Sequence, residues 1–233
     1  MRIVVIGAMQ EEIKFLLAKI KDYKEVKFLN STFYEGTIFG KNIIVTASGI
    51  GKVASGLLVS TILAYYKDID LIINVGVSGG VKNKVEIADV VVANGCKYAD
   101  VDVTIFPKYE YGQMPGCPNI FPTAYQKLTS LSMENEYKLG MIISGDKFYH
   151  DDTEVTSLLR SHFANNNVLC LDMESTALAH ASWFYNIDYL AIRAISDIIG
   201  SSFQKDEYEK NLEKACFKSN LFLLEVLEKI ENK

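Results

Sequence analysis

A chain of 233 residues, 49% of them hydrophobic, can bury a sizeable core and is read as one large domain over 1–233. The net charge of −5, with Lys and Arg scattered rather than clustered, argues against nucleic acid as the main partner. No apolar stretch approaches the roughly 18–20 residues of a membrane span, and the four cysteines and three histidines show no metal-ligand spacing, so neither membrane, metal nor disulfide framework is expected.

The chain opens on MRIVVIGA (1–8), a short apolar run followed at once by acids, which reads as a first strand rather than a signal peptide and points to a soluble, cytoplasmic protein. EEIKFLLAKI then carries a helical pattern. FYEGTIF (33–39) followed by KNIIVTAS (41–48) reads as an antiparallel hairpin, and VASGLLVSTILAYY as a helix. DLIINVGVSGG (70–80) and ADVVVAN (88–94) are apolar, Val/Ile-rich strands.

The rhythm breaks at FPKYEYGQMPGCPNIFP (106–122), which holds all four prolines and reads as a long ordered loop of functional or interfacial use. KLGMIISG (138–145), NVLCLDME (167–174) and DYLAIRAISD (188–197) resume the strands. VTSLLRSHF, STALAHASWFYN and an amphipathic tail from about Asp206 to Ile230 supply helices. Such alternation predicts an α/β fold, a mixed central sheet with helices on both faces in a three-layer α-β-α sandwich.

Among the motifs, GVSGG (76–80) offers either a tight turn at a strand end or a close approach of ligand to backbone. SGIGK (48–52) lacks the spacing of a phosphate loop, and the first strand lacks G-x-G-x-x-G, so neither a triphosphate nor a dinucleotide site is expected. None of Cys96, Cys117, Cys170 and Cys216 has a recognisable base beside it, which argues against a catalytic thiol.

Carboxylates at three strand ends carry more weight. Glu12 follows IVVIGA, Glu174 follows VLCLDM and Asp197 ends YLAIRAISD. Ligands of open α/β sheets bind at the carboxyl ends of strands, so the three acids can converge on one crevice. Each alone also suits the first turn of a helix. Together they fit a glycosidic cleavage, whose oxocarbenium-like state needs a general acid, an activated water and anionic stabilisation. LDMEST (171–176) raises its own question, because Asp172 and Glu174 stand two positions apart in an otherwise apolar stretch: a helix cap, or a carboxylate delivered to a ligand.

GAMQEE, SGIGKV, YGQMPGCP, SGDKF, DMES and RAISD, in this order, resemble the bacterial 5′-methylthioadenosine/S-adenosylhomocysteine nucleosidases of the nucleoside phosphorylase superfamily, over nearly the whole chain. The resemblance implies a nucleoside phosphorylase-like fold and a cofactor-free hydrolase of adenine nucleosides, 5′-deoxyadenosine included, serving methionine salvage. By that similarity Asp197 protonates adenine N7 with Ser196 orienting it, and Glu12 activates water. Glu174 holds the ribose hydroxyls, Met173 packs on the sugar, and Asp172 is the structural companion of Glu174. Phe148 stacks on adenine, the Tyr149 backbone reads the base edge, and Tyr208 lies beside the 5′-thio group. Ala8, Met9, Ile50, Val77 and Arg193 line or support the pocket. Val103, Phe106 and Pro115 reach from the neighbouring subunit of a homodimer. The chain departs from the family at Asp172, more often Glu, at Val77–Ser78, more often Ser–Ala, at Tyr149, usually aliphatic, and along IIGSSFQKDEYEK.

Two other functions compete. A phosphate-dependent nucleoside phosphorylase needs an anion site that Glu12 opposes, with no replacement Arg in GAMQEE. A non-catalytic nucleoside-binding protein has no need of both an acid and a base.

Overall fold

The computed structural model describes residues 1–231. In chain order its elements are β1 (Arg2–Gly7), α1 (Gln10–Leu17), β2 (Lys24–Phe28), β3 (Ser31–Ile38), β4 (Lys41–Ala47), α2 (Lys52–Tyr65), β5 (Leu71–Gly80) and β6 (Val90–Tyr98). A single-turn α3 (Gln126–Thr129) leads to β7 (Lys138–Ser144), α4 (Asp152–His162), β8 (Val168–Asp172), α5 (Ser175–Phe184), β9 (Asp188–Ile198) and α6 (Gln204–Lys229). None of the described helices is both long and apolar enough to cross a membrane.

Side chains alternate across β1, and the two faces feed two cores. Ile3 and Val5 pack with Ile13 and Leu16 of α1 and with Phe222, Leu223 and Val226 of α6. Val4 and Ile6 pack with Leu58, Val59 and Ile62 of α2 and Leu178 of α5. Helices therefore cover both faces of the sheet, and a strand buried on both sides reads as the continuous apolar run seen in the sequence. A third cluster seats α4, through Val155 and Phe163, on Ile143 and Leu171.

Strands run in the order β2-β3-β4-β1-β5-β8-β7-β6-β9, and the hairpin β3–β4 is antiparallel. β1 pairs in parallel with β4 and β5, β5 in parallel with β9, while β5–β8 and β6–β9 are antiparallel, so the sheet is mixed. Because β9 pairs with both β6 and β5, one half of the sheet closes into a ring of β5, β8, β7, β6 and β9. The closure was not part of the sandwich expected from sequence. Bulges at Ser78/Gly79 and Ala93/Gly95 bend the two strands that turn the corners.

Three local expectations need correction. The tight turn open to GVSGG is not made; the run forms the last five residues of β5, to Gly80. The strand ADVVVAN continues beyond its bulge to Tyr98. The edge strand β2, KEVKF, was not foreseen, because Val26 is its one fully buried side chain and alternating charges mask the pattern. The proline-rich segment is irregular as expected, tied back by a single bridge between Cys96 and Phe121.

Candidate active site

Glu12 stands in the first turn of α1, directly after β1, with its carboxylate folded back over the strand end. Oε2 accepts from the backbone N–H of Ala8 (2.6 Å) and Met9 (3.1 Å), and Oε1 from that of Val77 (2.9 Å). A Cβ on Gly76 would sit 2.3 Å from Oε1, so the glycine of the β5 run serves this carboxylate. Burial pushes the Glu12 carboxyl above its ordinary value, against the Arg193 charge and the three backbone donors.

Both acids of LDMEST border the cavity described below, and they differ in their partners. Asp172 ends β8 and serves structure. Its Oδ1 accepts from Ser144 Oγ (2.5 Å) and from the N–H groups of Glu174 (3.3 Å) and Ser175 (3.2 Å), where α5 opens. Its Oδ2 accepts from Ser175 Oγ and from Arg193 Nε (2.9 Å), a fully buried ion pair. Arg193 also donates to Asn74 Oδ1, so it stands behind the cavity wall and does not line it. The expectation that it binds substrate narrows to support through charge.

Glu174 points the other way, toward α2. Its Oε1 accepts from the N–H of Gly51 (2.9 Å), which opens α2 at a φ of 99°. Burial first, then the Asp172 charge, pushes its carboxyl up to about 7. The neighbouring Lys52 N–H donates to Asp146 (2.8 Å), so the last two amides of SGIGK are already held by carboxylates of the chain itself.

Asp197, near the end of β9, is 1% exposed. Oδ1 accepts from Ser196 Oγ (2.6 Å) and Oδ2 from Gln204 Nε2 (2.7 Å). Burial raises its carboxyl, opposed by these two hydrogen bonds. Together with Glu12 and Glu174 it faces one cavity, which opens to solvent. Ala8, Met9, Ile50, Val77, Met173 and Ser196 line that cavity, with Phe148, Tyr149 and Tyr208, so these expected positions come together. The Phe148 ring, 46% exposed, meets Tyr208 edge-on at 5.7 Å. The Tyr208 hydroxyl lies 3.9 Å from Met9 Sδ.

Val103, Phe106 and Pro115 do not reach this cavity within the chain; they sit on the irregular segment, Phe106 and Pro115 exposed. Gln204 does reach it and was missed, since a glutamine before an acidic helix carries no motif. The absence of a base beside any cysteine also needs correction. Cys117 Sγ lies 3.3 Å from His180 Nε2, and His180 Nδ1 lies 2.9 Å from the Tyr98 hydroxyl, across 63 and 82 residues of sequence. Burial raises the thiol and lowers the imidazole, so both are neutral and the pair is no nucleophile.

The phosphorylase superfamily matches residues 2–228. The chain is 34% identical, over 99% of its own length and all of the relative's, to a 5′-methylthioadenosine/S-adenosylhomocysteine nucleosidase of Haemophilus influenzae (strain PittEE). The S. pneumoniae nucleosidase of that name, solved with the transition-state inhibitor MT-ImmA, superposes with a TM-score of 0.90 at 33% identity, covering 99% of this chain and 100% of that one. The Colwellia psychrerythraea 34H nucleosidase, solved with adenine, gives 0.89 at 31% identity, covering 100% and 97%.

Proposed function

Because the chain belongs to the 5′-methylthioadenosine/S-adenosylhomocysteine nucleosidases of the phosphorylase superfamily, we propose a mechanism in which its three cavity carboxylates divide the work of one hydrolysis. The protein is an N-glycosidic hydrolase that cleaves 5′-methylthioadenosine and S-adenosylhomocysteine, releasing adenine and the 5′-thioribose. The observation that carries the mechanism is the convergence of Glu12, Glu174 and Asp197 on one cavity, each with its carboxyl raised by burial.

A buried Asp197 retains a proton for adenine N7, so the base leaves neutral when the C1′–N9 electron pair returns to the ring. Ser196 fixes the Asp197 rotamer. Glu12, anchored by three backbone donors, takes the proton of the water whose oxygen attacks C1′. Glu174 grips the ribose hydroxyls and its charge stabilises the oxocarbenium-like sugar. Phe148 supplies a stacking face and the Tyr149 backbone a base-edge contact, with Met173 against the sugar and Tyr208 and Met9 beside the 5′-thio substituent. The same pocket admits 5′-deoxyadenosine, which differs only at that substituent.

Phosphorolysis is disfavoured by charge. Anions surround the water position, Arg193 is committed to Asp172 and Asn74, and the Gly51 and Lys52 amides are committed to Glu174 and Asp146.

Two further features belong to this reading. Val53 and Leu57 of α2, Phe184 of α5, and Ile105 and Phe106 of the proline-rich segment expose large apolar side chains. A homodimer that covers them would carry Val103, Phe106 and Pro115 to the partner's pocket. Four unpaired cysteines suit the reducing cytoplasm.

Adenine release from 5′-methylthioadenosine, assayed with and without phosphate, tests the reading. We expect free 5-methylthioribose at a rate indifferent to phosphate; a sugar 1-phosphate formed faster as phosphate is added would overturn it. Sedimentation should give a dimer that Phe184→Lys weakens, and a fully active monomer at nanomolar concentration would remove the partner residues from the site.

A further inference from the structure

Gln204, the first residue of α6, is buried against the cavity with its amide engaged at both ends. Nε2 donates to the Tyr149 carbonyl (2.9 Å) and to Asp197 Oδ2 (2.7 Å), and Oε1 accepts from the Gly200 N–H (3.0 Å). The two acceptors on Nε2 are the groups assigned above to the purine edge. A primary amide nitrogen and the 6-amino group of adenine present the same pattern, two N–H bonds in one plane on a trigonal carbon.

We propose that Gln204 is a resident surrogate for the substrate's 6-amino group: its amide holds Asp197 and the Tyr149 carbonyl in register while the site is empty, and exchanges with the amino group when the base enters. The inference rests on the adenine-nucleoside reading and adds a residue that tunes recognition. The exchange trades hydrogen bonds one for one, so neither acceptor is left buried and unpaired at any stage. A 6-oxopurine presents an acceptor at that place and cannot take over both bonds, so the amide selects for aminopurines. The departing side chain releases the Gly200 N–H, and the short Ile198–Phe203 segment adjusts. Gly200 holds a φ of +80° there, against Asp152 of α4.

Asp197 is faced by Ser196 from its own strand and by Gln204, Glu207 and Tyr208 from α6. Of these, Gln204 alone would leave on binding. Its N–H favours the charged form of Asp197, and the amino N–H takes that place in the occupied site, so loss of the Gln204 amide alters the hold on that proton in the empty site alone.

The test is calorimetric titration of adenine into the full chain, with steady-state kinetics on 5′-methylthioadenosine, for wild type, Gln204→Ala and Gln204→Asn. Asparagine keeps an amide at the helix start but is one methylene too short to bridge both acceptors, and guards against misfolding of the alanine variant. We expect both variants to bind adenine about three- to tenfold tighter, the scale of one or two net hydrogen bonds. KM should fall by a similar factor with kcat within about twofold. The alkaline limb of kcat/KM, which reports the empty enzyme, should move to higher pH, and that of kcat should stay. Weaker adenine binding with a raised KM would overturn the proposal by making Gln204 a permanent part of the bound site. Unchanged binding in both variants would overturn it by making the contact idle. A wild type that neither binds adenine nor cleaves the nucleoside refutes the parent reading instead, whereas one that does both beside variants that bind no tighter refutes the surrogate alone.

Discussion

The two sides of the cavity are built differently. On the side proposed for water and sugar, Glu12 and Glu174 are fixed by main-chain N–H groups of Ala8, Met9, Val77 and Gly51, which belong to β5 and to the segments that open α1 and α2. On the base side, Asp197 is fixed by two side chains, Ser196 and Gln204. Backbone donors give preorganisation, where a misplaced carboxylate would cost rate. Side-chain donors give a contact that can be exchanged. In the proposed mechanism the chemistry is thus anchored by main chain, and recognition is left to groups with rotamers to spare.

Replacing the acids by their amides exposes this difference. Glutamine at position 12 must turn its NH₂ toward Val77 N–H or toward Ala8 and Met9 N–H, because both oxygens of Glu12 accept from backbone. Glu12→Gln is therefore expected to lose about 10²- to 10⁴-fold in kcat and also about 1–3 kcal/mol of stability from unpaired donors. Asp197→Asn should lose a similar factor in turnover at little cost in melting temperature. Its carbonyl can keep Gln204, and its NH₂ can donate to Ser196, whose hydroxyl has a second acceptor in the Ser78 carbonyl at 3.3 Å. Steady-state rates beside thermal melts of the two variants test both expectations; equal melting temperatures would erase the distinction between the two sides.

The same division explains what the sequence disclosed. Glu12, Glu174 and Asp197 were legible because a carboxylate at the end of an apolar strand is costly without a use. The layered α/β fold was legible because strands buried on both faces leave unbroken Val/Ile runs. Gln204 was not, since its meaning lies in reaching Tyr149, 55 residues away, from a polar helix start. Nor was the commitment of Arg193 to Asp172 and Asn74, which a sequence cannot tell from an arginine facing a ligand. Ring closure by β9 and the Cys117–His180 contact are long-range pairings with no local pattern. Buried acids at strand ends announce themselves locally, whereas the residues that hold them are placed by the tertiary fold.

Gly76→Ala probes the fixed side without changing any charge. The added methyl would meet Glu12 Oε1 at 2.3 Å and Cδ at 2.7 Å, so the carboxylate must leave the Val77 N–H or β5 must shift. Overpacking of this kind costs about 1–3 kcal/mol. We expect a lower melting temperature and a fall in kcat larger than the change in KM, because the proposed mechanism has Glu12 act on the attacking water and not on the substrate. An alanine variant with wild-type kcat would show that the close fit of Gly76 to the carboxylate is incidental.

The smallest expected effect lies in how stability follows pH. Burial and the Asp172 charge raise the Glu174 carboxyl to about 7, so the folded chain holds this proton more tightly than the unfolded chain, whose glutamate titrates near 4.3. Below about pH 4 both states carry the proton and the contribution of Glu174 to stability is whole. As pH rises toward 7 the unfolded chain gives up its proton first, and the contribution is lost through that window. Glutamine at 174 has no proton to lose, and its carbonyl can still accept from the Gly51 N–H. Glu174→Gln should therefore flatten the fall in stability between about pH 4 and 7 and leave the empty protein more stable than wild type at pH 8, while its turnover drops. Chemical denaturation of both proteins across that range measures the difference, and parallel curves would mean that Glu174 is charged in the empty pocket at no cost.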